Sequence, residues 1–221
     1  MHPAISFPME KVCAVVLAGG QGSRMGGVDK GLQTFRGQAL ALHAAQRLAL
    51  QTVGSPACIA FNANRNVAEY AAWGRPVWPD ATIDFPGPLA GFLSALRHCS
   101  TPPQSFDYLL TVPCDSPLFP LDLLERMAQA LLEVQADIAV ATAPDVDSDD
   151  LTVLHTQPVF CLLRTHLTPS LDAFMAEGGR KIYAWIRQHT FVLVPFNRAG
   201  DDPRAFANAN TLDQLLDLER P

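Results

Sequence analysis

Arg24 and Lys30 stand in a run crowded with glycine (Gly19, Gly20, Gly22, Gly26 and Gly27), and Asp115 stands far downstream in Pro113-Cys114-Asp115-Ser116-Pro117. Glycines leave backbone N–H groups open to an anion because no Cβ screens them, and the two cations add charge to that cradle. A carboxylate beside a phosphate site has a matching task, since it supplies oxygen to Mg2+, which in turn bridges phosphate oxygens. The combination describes a site for a nucleoside triphosphate and its metal. The same letters also allow a tight turn with solvated charges, and an Asp that only accepts N–H bonds ahead of a helix.

Two familiar glycine loops fail on spacing. The dinucleotide fingerprint G-x-G-x-x-G, started at Gly20 and Gly22, meets Met25 where its third glycine belongs. A Walker loop needs Ser or Thr after Gly-Lys, whereas Gly27 is followed by Val28 and Lys30 by Gly31.

Elements that hold these residues follow from hydrophobic patterning. Residues 13–17 are a continuous apolar run, as expected of a buried parallel strand, and the glycine loop leaves its carboxyl end, where α/β proteins bind ligands. Further strands are expected at 57–61, 76–79, 107–112, 137–142, 159–163 and 191–196, and helices at 39–50, 89–98, 121–133 and 212–219, with another that runs to Trp73. A short extended piece at 32–35 turns at Arg36-Gly37. Pro158 marks 159–163 as an edge strand, because proline cannot donate to a ladder. Alternation of strand and helix predicts an α/β domain in three layers, a mostly parallel sheet flanked by helices, with loops 17–30, 62–65 and 80–91 and Asp115 opening on one rim.

On residue types alone, Asn62 is equally a reader of a base edge and an Asx turn. Gly87-Pro88-Leu89 is a loop-to-helix entry whose free N–H groups can face a ligand. Gly178-Gly179-Arg180-Lys181 is either a helix C-cap or a phosphate cradle, and Thr211 with Gln214 has capping-box spacing. Asp145, Asp147, Asp149 and Asp150 lack the glycine and terminal Glu of a calcium loop and read as a solvated segment.

The 221 residues suit one domain, with 1–10 as a flexible N-terminal extension. Sixteen Lys and Arg against 22 Asp and Glu argue against a nucleic-acid partner. Five cysteines without a C-x-x-C pair point to reduced, packed thiols, and the absence of a leader pattern or a long apolar run predicts a cytoplasmic protein without a membrane partner.

Leu17-Ala18-Gly19-Gly20, Arg24-Met25-Gly26-Gly27 and Asp29-Lys30-Gly31-Leu32 together resemble the opening loop of the molybdenum cofactor guanylyltransferases, within the larger nucleotidyltransferase group of Rossmann-like fold. The first part marks the group and the second, Gly26-Gly27-Val28-Asp29-Lys30, the branch. The resemblance implies an enzyme that moves GMP from GTP to the terminal phosphate of molybdenum-loaded molybdopterin and releases pyrophosphate, using Mg2+. It implies nucleotide contacts at Leu17, Ala18, Gly19, Gly20, Asn62, Asp80, Gly87, Pro88 and Leu89, catalytic roles for Arg24, Lys30 and Asp115, and Asp115 as the metal ligand. Asp80 is chosen over Asp84 by alignment along Asp-x-x-x-Asp-x-Pro-Gly-Pro. For the acceptor it implies Arg180, Lys181, Asn208 and Asn210. A family His before a Pro is displaced here by Thr156 and Gln157, so His155 reads as a surface side chain. Partners would be proteins that deliver molybdopterin and mature molybdoenzymes. A cytidylyltransferase for the same acceptor and a nucleotide-binding module without turnover are the other readings.

Overall fold

The computed structural model describes residues 7–18, 28–80, 87–102, 105–146, 150 and 152–220. Strand β1 (Val12–Leu17) lies between β4 (Cys58–Asn62) and β6 (Tyr108–Pro113), and both pairings are parallel. With β5 (Val77–Trp78), β7 (Ile138–Pro144), β8 (Leu154–Arg164) and β9 (Phe191–Pro195) they make a seven-stranded sheet in the order β5-β4-β1-β6-β8-β7-β9. A separate hairpin, β2 (Thr34–Phe35) with β3 (Gln38–Ala39), turns at Arg36 and Gly37, both with positive φ (50° and 78°), as a tight two-residue hairpin requires.

β1 is apolar throughout because it is covered on both faces. Val12, Ala14 and Val16 pack with α1 (Leu40–Ala49) and α4 (Leu123–Glu133). Cys13, Val15 and Leu17 face α3 (Pro88–Cys99), α5 (Thr168–Ala176) and α6 (Ile182–Ile186). The three layers expected from the strand and helix pattern are therefore present. Short helix α2 (Val67–Ala71) contributes Tyr70 to the first layer, and α7 (Leu212–Glu219) closes a smaller cluster with Phe35, Leu40 and Ala209. The carboxyl ends of β1, β4 and β6 are level, with Leu17 registered against both Asn62 and Pro113.

Two expectations are corrected. Segment 159–163 is not an edge strand: β8 runs antiparallel between β6 and β7, inside the sheet. Pro158 is tolerated because it sits in a bulge, where the β7 ladder jumps from Val140↔Cys161 to Ala141↔Gln157. The Thr111 hydroxyl compensates inside the bulge, donating to the Val159 carbonyl at 2.7 Å. Likewise, part of the expected N-terminal extension is folded. Phe7 is buried, its ring 4.6 Å from that of Tyr108, and Met9–Lys11 forms a 3-10 turn.

Among the described residues no helix is long and apolar enough to cross a membrane. All five cysteines are free thiols.

Candidate active site

At the level carboxyl ends of β4, β1 and β6 the backbone is tied together first. Ala18 N–H donates to the Asn62 carbonyl at 2.9 Å, and Cys114 N–H to the Leu17 carbonyl at 3.1 Å. Gly19, Gly20 and Arg24 lie outside the described residues, as does Asp84. The loop re-enters at Val28, and Asp29 caps a 3-10 turn over Lys30–Leu32.

Lys30 reaches across the rim from that turn. Its ammonium donates to Asp115 Oδ2 at 3.0 Å and to Asn210 Oδ1 at 2.7 Å. Both charged side chains are mostly shielded from water, at 16% and 19% exposure, so their attraction is screened less than that of a surface pair. Three segments remote in sequence thus meet on one nitrogen. Asp115 follows the last residues of β6, where the strand's end aims its carboxylate at the rim rather than into the core.

The 208–210 segment is laid against Asp115-Ser116. Ala209 N–H donates to the Asp115 carbonyl at 2.7 Å, and Ser116 Oγ–H to Asn208 Oδ1 at 2.6 Å. Ala209 is fully buried with Phe35 and Leu40, so Asn208 and Asn210 on either side of it both turn outward. That alternation accounts for the Asn-x-Asn spacing. Thr211 caps α7 and accepts from Gln214 N–H, as its capping-box spacing predicts.

On the other flank, Asn62 is buried and its amide donates to the Trp78 carbonyl and to Asp80 Oδ1, each at 2.9 Å. Asn64 clamps the same carboxylate, donating to Asp80 Oδ2 at 2.6 Å and accepting from Asp80 N–H at 2.7 Å. Asn62 is therefore no helix cap; it joins the ends of β4 and β5 and orients Asp80. Gly91 lies directly beneath, and a Cβ there would land on Asn62 Oδ1 and come within 3.0 Å of Leu17 Cδ2. Gly87 precedes α3 with φ 137°, and Pro88 takes its first turn. Leu89 points into the core, which leaves its backbone N–H as its only polar offering to a nucleotide.

Beyond Asn208 and Asn210 opens a cavity of about 420 Å³. Asp145, His155, Gln157, Arg204, Gln214 and Asp217 give it a polar wall over Phe206 and Leu218. His155 and Asp145, read from sequence as parts of the protein's solvated surface, thus stand with the two asparagines. Arg180 and Lys181 are exposed on the α5–α6 connection and are not among the residues lining this cavity. Their glycines make a helix terminus instead: Gly179 N–H donates to the Phe174 carbonyl at 2.9 Å and Gly178 N–H, at φ 91°, to that of Met175 at 3.0 Å.

The sequence assigns no individual role to Asp29, Asn66, Ser116 or Gly91, although each stands within a motif or polar cluster at a strand's end, and it does not single out Tyr70. A carboxylate between glycines and a lysine is a signal for Asp29. Tyr70 looks like any core aromatic, so its hydroxyl gave none.

As for a metal, no group of three His, Cys, Asp or Glu side chains among the described residues could hold one. A single carboxylate, with Lys30 on only one of its oxygens, suits Mg2+, which keeps waters and takes substrate phosphates beside one or two carboxylates.

Residues 14–192 match the family model described as MobA-like NTP transferase domain. A molybdenum cofactor guanylyltransferase from Acidovorax sp. is 57% identical over 94% of this chain and 95% of its own length, and one from Bordetella petrii is 52% identical over 94% and 96%. Among solved structures, molybdopterin-guanine dinucleotide biosynthesis protein A from Archaeoglobus fulgidus superposes with a TM-score of 0.71 at 20% identity, covering 94% of this chain and 96% of its own. A 4-diphosphocytidyl-2C-methyl-D-erythritol synthase from Anaerococcus prevotii gives 0.68 at 11%, covering 96% and 97%, a likeness of fold alone. The chain belongs to the MobA-like NTP transferase family, among its molybdenum cofactor guanylyltransferases.

Proposed function

We propose that the chain transfers GMP from GTP to the terminal phosphate of molybdenum-loaded molybdopterin and releases pyrophosphate. The observation that carries this reading is the meeting of Lys30, Asp115 and Asn210, because it puts a cation, a carboxylate and the edge of a cavity at one point.

In this reading the donor lies along the ends of β1, β4 and β6. Lys30, with Arg24, binds phosphates; Asn62 and Asp80, with the backbone of Leu17 to Gly20 and of Gly87 to Leu89, receive the guanosine. Lys30 leaves Asp115 as the phosphates arrive, exchanging one anion for another. Asp115 would hold Mg2+, which supplies charge neutralisation on the triphosphate. The acceptor occupies the cavity behind Asn208 and Asn210, whose amides offer donors and acceptors to a polar ring edge or to its phosphate.

The chemistry asks little proton transfer of the protein. A phosphate monoester has its second pKa near ~6, so the attacking oxygen is already largely ionised at neutral pH. It forms a bond to the α-phosphorus while the α–β bridging bond breaks, and Lys30 neutralises the charge that builds on departing pyrophosphate. What remains is positioning in line. As a nucleotidyltransferase of this kind the protein would act in the cytoplasm, beside proteins that supply molybdopterin and receive the product.

Pyrophosphate release with GTP, CTP or ATP, with and without molybdenum-loaded molybdopterin, tests this. Release is expected only with GTP and acceptor together. Release with CTP instead would make the chain a cytidylyltransferase, and tight GTP binding without any release would make it a binding module.

A further inference from the structure

Asp29 and Lys30 are neighbours in sequence and face opposite ways. Lys30 points to the rim, whereas the Asp29 carboxylate is turned inward and only 9% exposed. Three donors converge on it: the Tyr70 hydroxyl at 2.7 Å and Gly31 N–H at 3.1 Å on Oδ1, and the Asn66 amide at 3.0 Å on Oδ2. Tyr70 is itself fully buried, with the rings of Phe61 and Trp73 5.6 and 5.2 Å away. Burial, together with the Asp29 hydrogen bond, pushes the Tyr70 phenol far above its ordinary range, so it remains a donor at any pH the protein meets.

An inward carboxylate costs the fold free energy unless every lone pair is met, and an apolar residue would fill the same space at less risk. The packing of α2 does not require it, since the Phe61, Tyr70 and Trp73 rings already hold that helix to the sheet. Its effect is on the turn. Gly31 is pinned so tightly that a Cβ would strike the Tyr70 hydroxyl and come within 3.1 Å of Ala18 Cβ and 3.2 Å of Ala41 Cβ. Gln33 adds a bond from its amide to the Asp29 carbonyl at 3.2 Å. With both sides of residue 30 fixed, its side chain leaves the turn in one direction, toward Asp115 and Asn210.

We infer that Asp29, Tyr70 and Asn66 form a positioning set that fixes the Lys30 ammonium where a nucleoside triphosphate's phosphates arrive, acting through Lys30 and touching no substrate. This rests on the proposed role of Lys30 in binding the donor. The set's worth is then a property of phosphate affinity rather than of the fold.

Calorimetric binding of GTP with Mg2+, and of guanosine monophosphate as a ligand without the β- and γ-phosphates, distinguishes the two. Tyr70→Phe removes one hydroxyl, and Asn66→Gly removes the exposed amide while keeping the left-handed backbone that Asn66 adopts at φ 50°. Each is expected to raise the Kd for GTP about three- to tenfold, the range of one lost hydrogen bond, with monophosphate affinity unchanged. In a Lys30→Ala background both effects should vanish, because interacting residues are not additive. An unchanged GTP Kd in both variants, or the same loss with Lys30 absent, overturns the inference while leaving the role of Lys30 standing. Wild-type GTP affinity in Lys30→Ala alone overturns both.

Discussion

The two flanks of the rim, the one we propose for the donor and the one we propose for the acceptor, are built by different means. On the donor flank, each side chain follows its strand by a few residues: Ala18 after β1, Asn62 at the end of β4, Asp80 after β5, Asp115 after β6. Backbone bonds between neighbouring strands set their spacing, and Asn62 is locked on both sides by Trp78 and Asp80. The other flank is framed by strands on one side only, where Pro144 ends β7 and His155 and Gln157 stand on β8. The rest of its cavity is an irregular stretch around Arg204 to Asn210 and one face of α7. A full frame of strands gives precision at fixed spacing; a wall completed by an irregular stretch and one helix gives room.

That difference can be broken by mutation, and the largest effect is expected where the flanks meet. Asp115→Ala should lower pyrophosphate release about a hundredfold or more, with a melting temperature near that of the wild type, because a rim carboxylate and not a core contact is lost. Retained activity would remove Asp115 from the reaction. Next come two variants that should separate the flanks. Gly91→Ala drives a Cβ into Asn62 and should weaken GTP binding about tenfold while the KM for the acceptor holds. Asn208→Ala strips the partner of Ser116 and should do the reverse, raising the acceptor KM several-fold and sparing the GTP Kd. If either variant moves both constants equally, the two flanks are not independent.

The smallest effect sharpens the scaffold's part. His43 donates from Nε2 to the Pro117 carbonyl at 3.1 Å, bracing the segment after Asp115. Burial and the nearby Arg47 charge lower its pKa below the ordinary 6.5. The folded state therefore resists protonation, and stability is full above about pH 6.5 and declines as the pH drops toward the lowered folded value. Thermal melts between pH 7 and 5 should show that decline, and His43→Gln, which keeps a donor, should flatten it by about 1–2 °C. His189, also lowered by burial, leaves a remainder in the variant. An identical slope in His43→Gln would clear His43 of the effect.

The donor flank was also the more legible in sequence, and for the same reason. A polar residue at or just past the end of a strand lies at the rim whatever else happens, so the places of Asn62 and Asp115 were readable from local pattern, while the nucleotide contacts at Leu17 and Asn62 came from the resemblance. Asn210 was not, because its position depends on a contact with Lys30 across 180 residues, which no periodicity encodes. It entered only through resemblance. Arg180 and Lys181 show the converse: basic residues after two glycines suit a cradle as well as a helix end, and only the bonds to Phe174 and Met175 tell which the glycines make. Pro158 misled in another way. A ladder donor is dispensable inside a bulge, and a bulge is not visible until the partner strand's register is known.

The reversal of β8 has a consequence for how this molecule can change. Because β7 and β8 run in opposite directions, they are joined at the rim by a simple hairpin, whose base at Pro144↔Leu154 borders the cavity. The donor loops each carry the chain from one strand toward a helix that must return to the sheet, so a residue added there disturbs an element downstream. A connection between adjacent antiparallel strands has no such obligation, and lengthening a connection costs little closure entropy. Insertions and deletions between Asp145 and Val153 therefore offer a route to resize the chamber proposed for the acceptor while the flank proposed for GTP keeps its geometry.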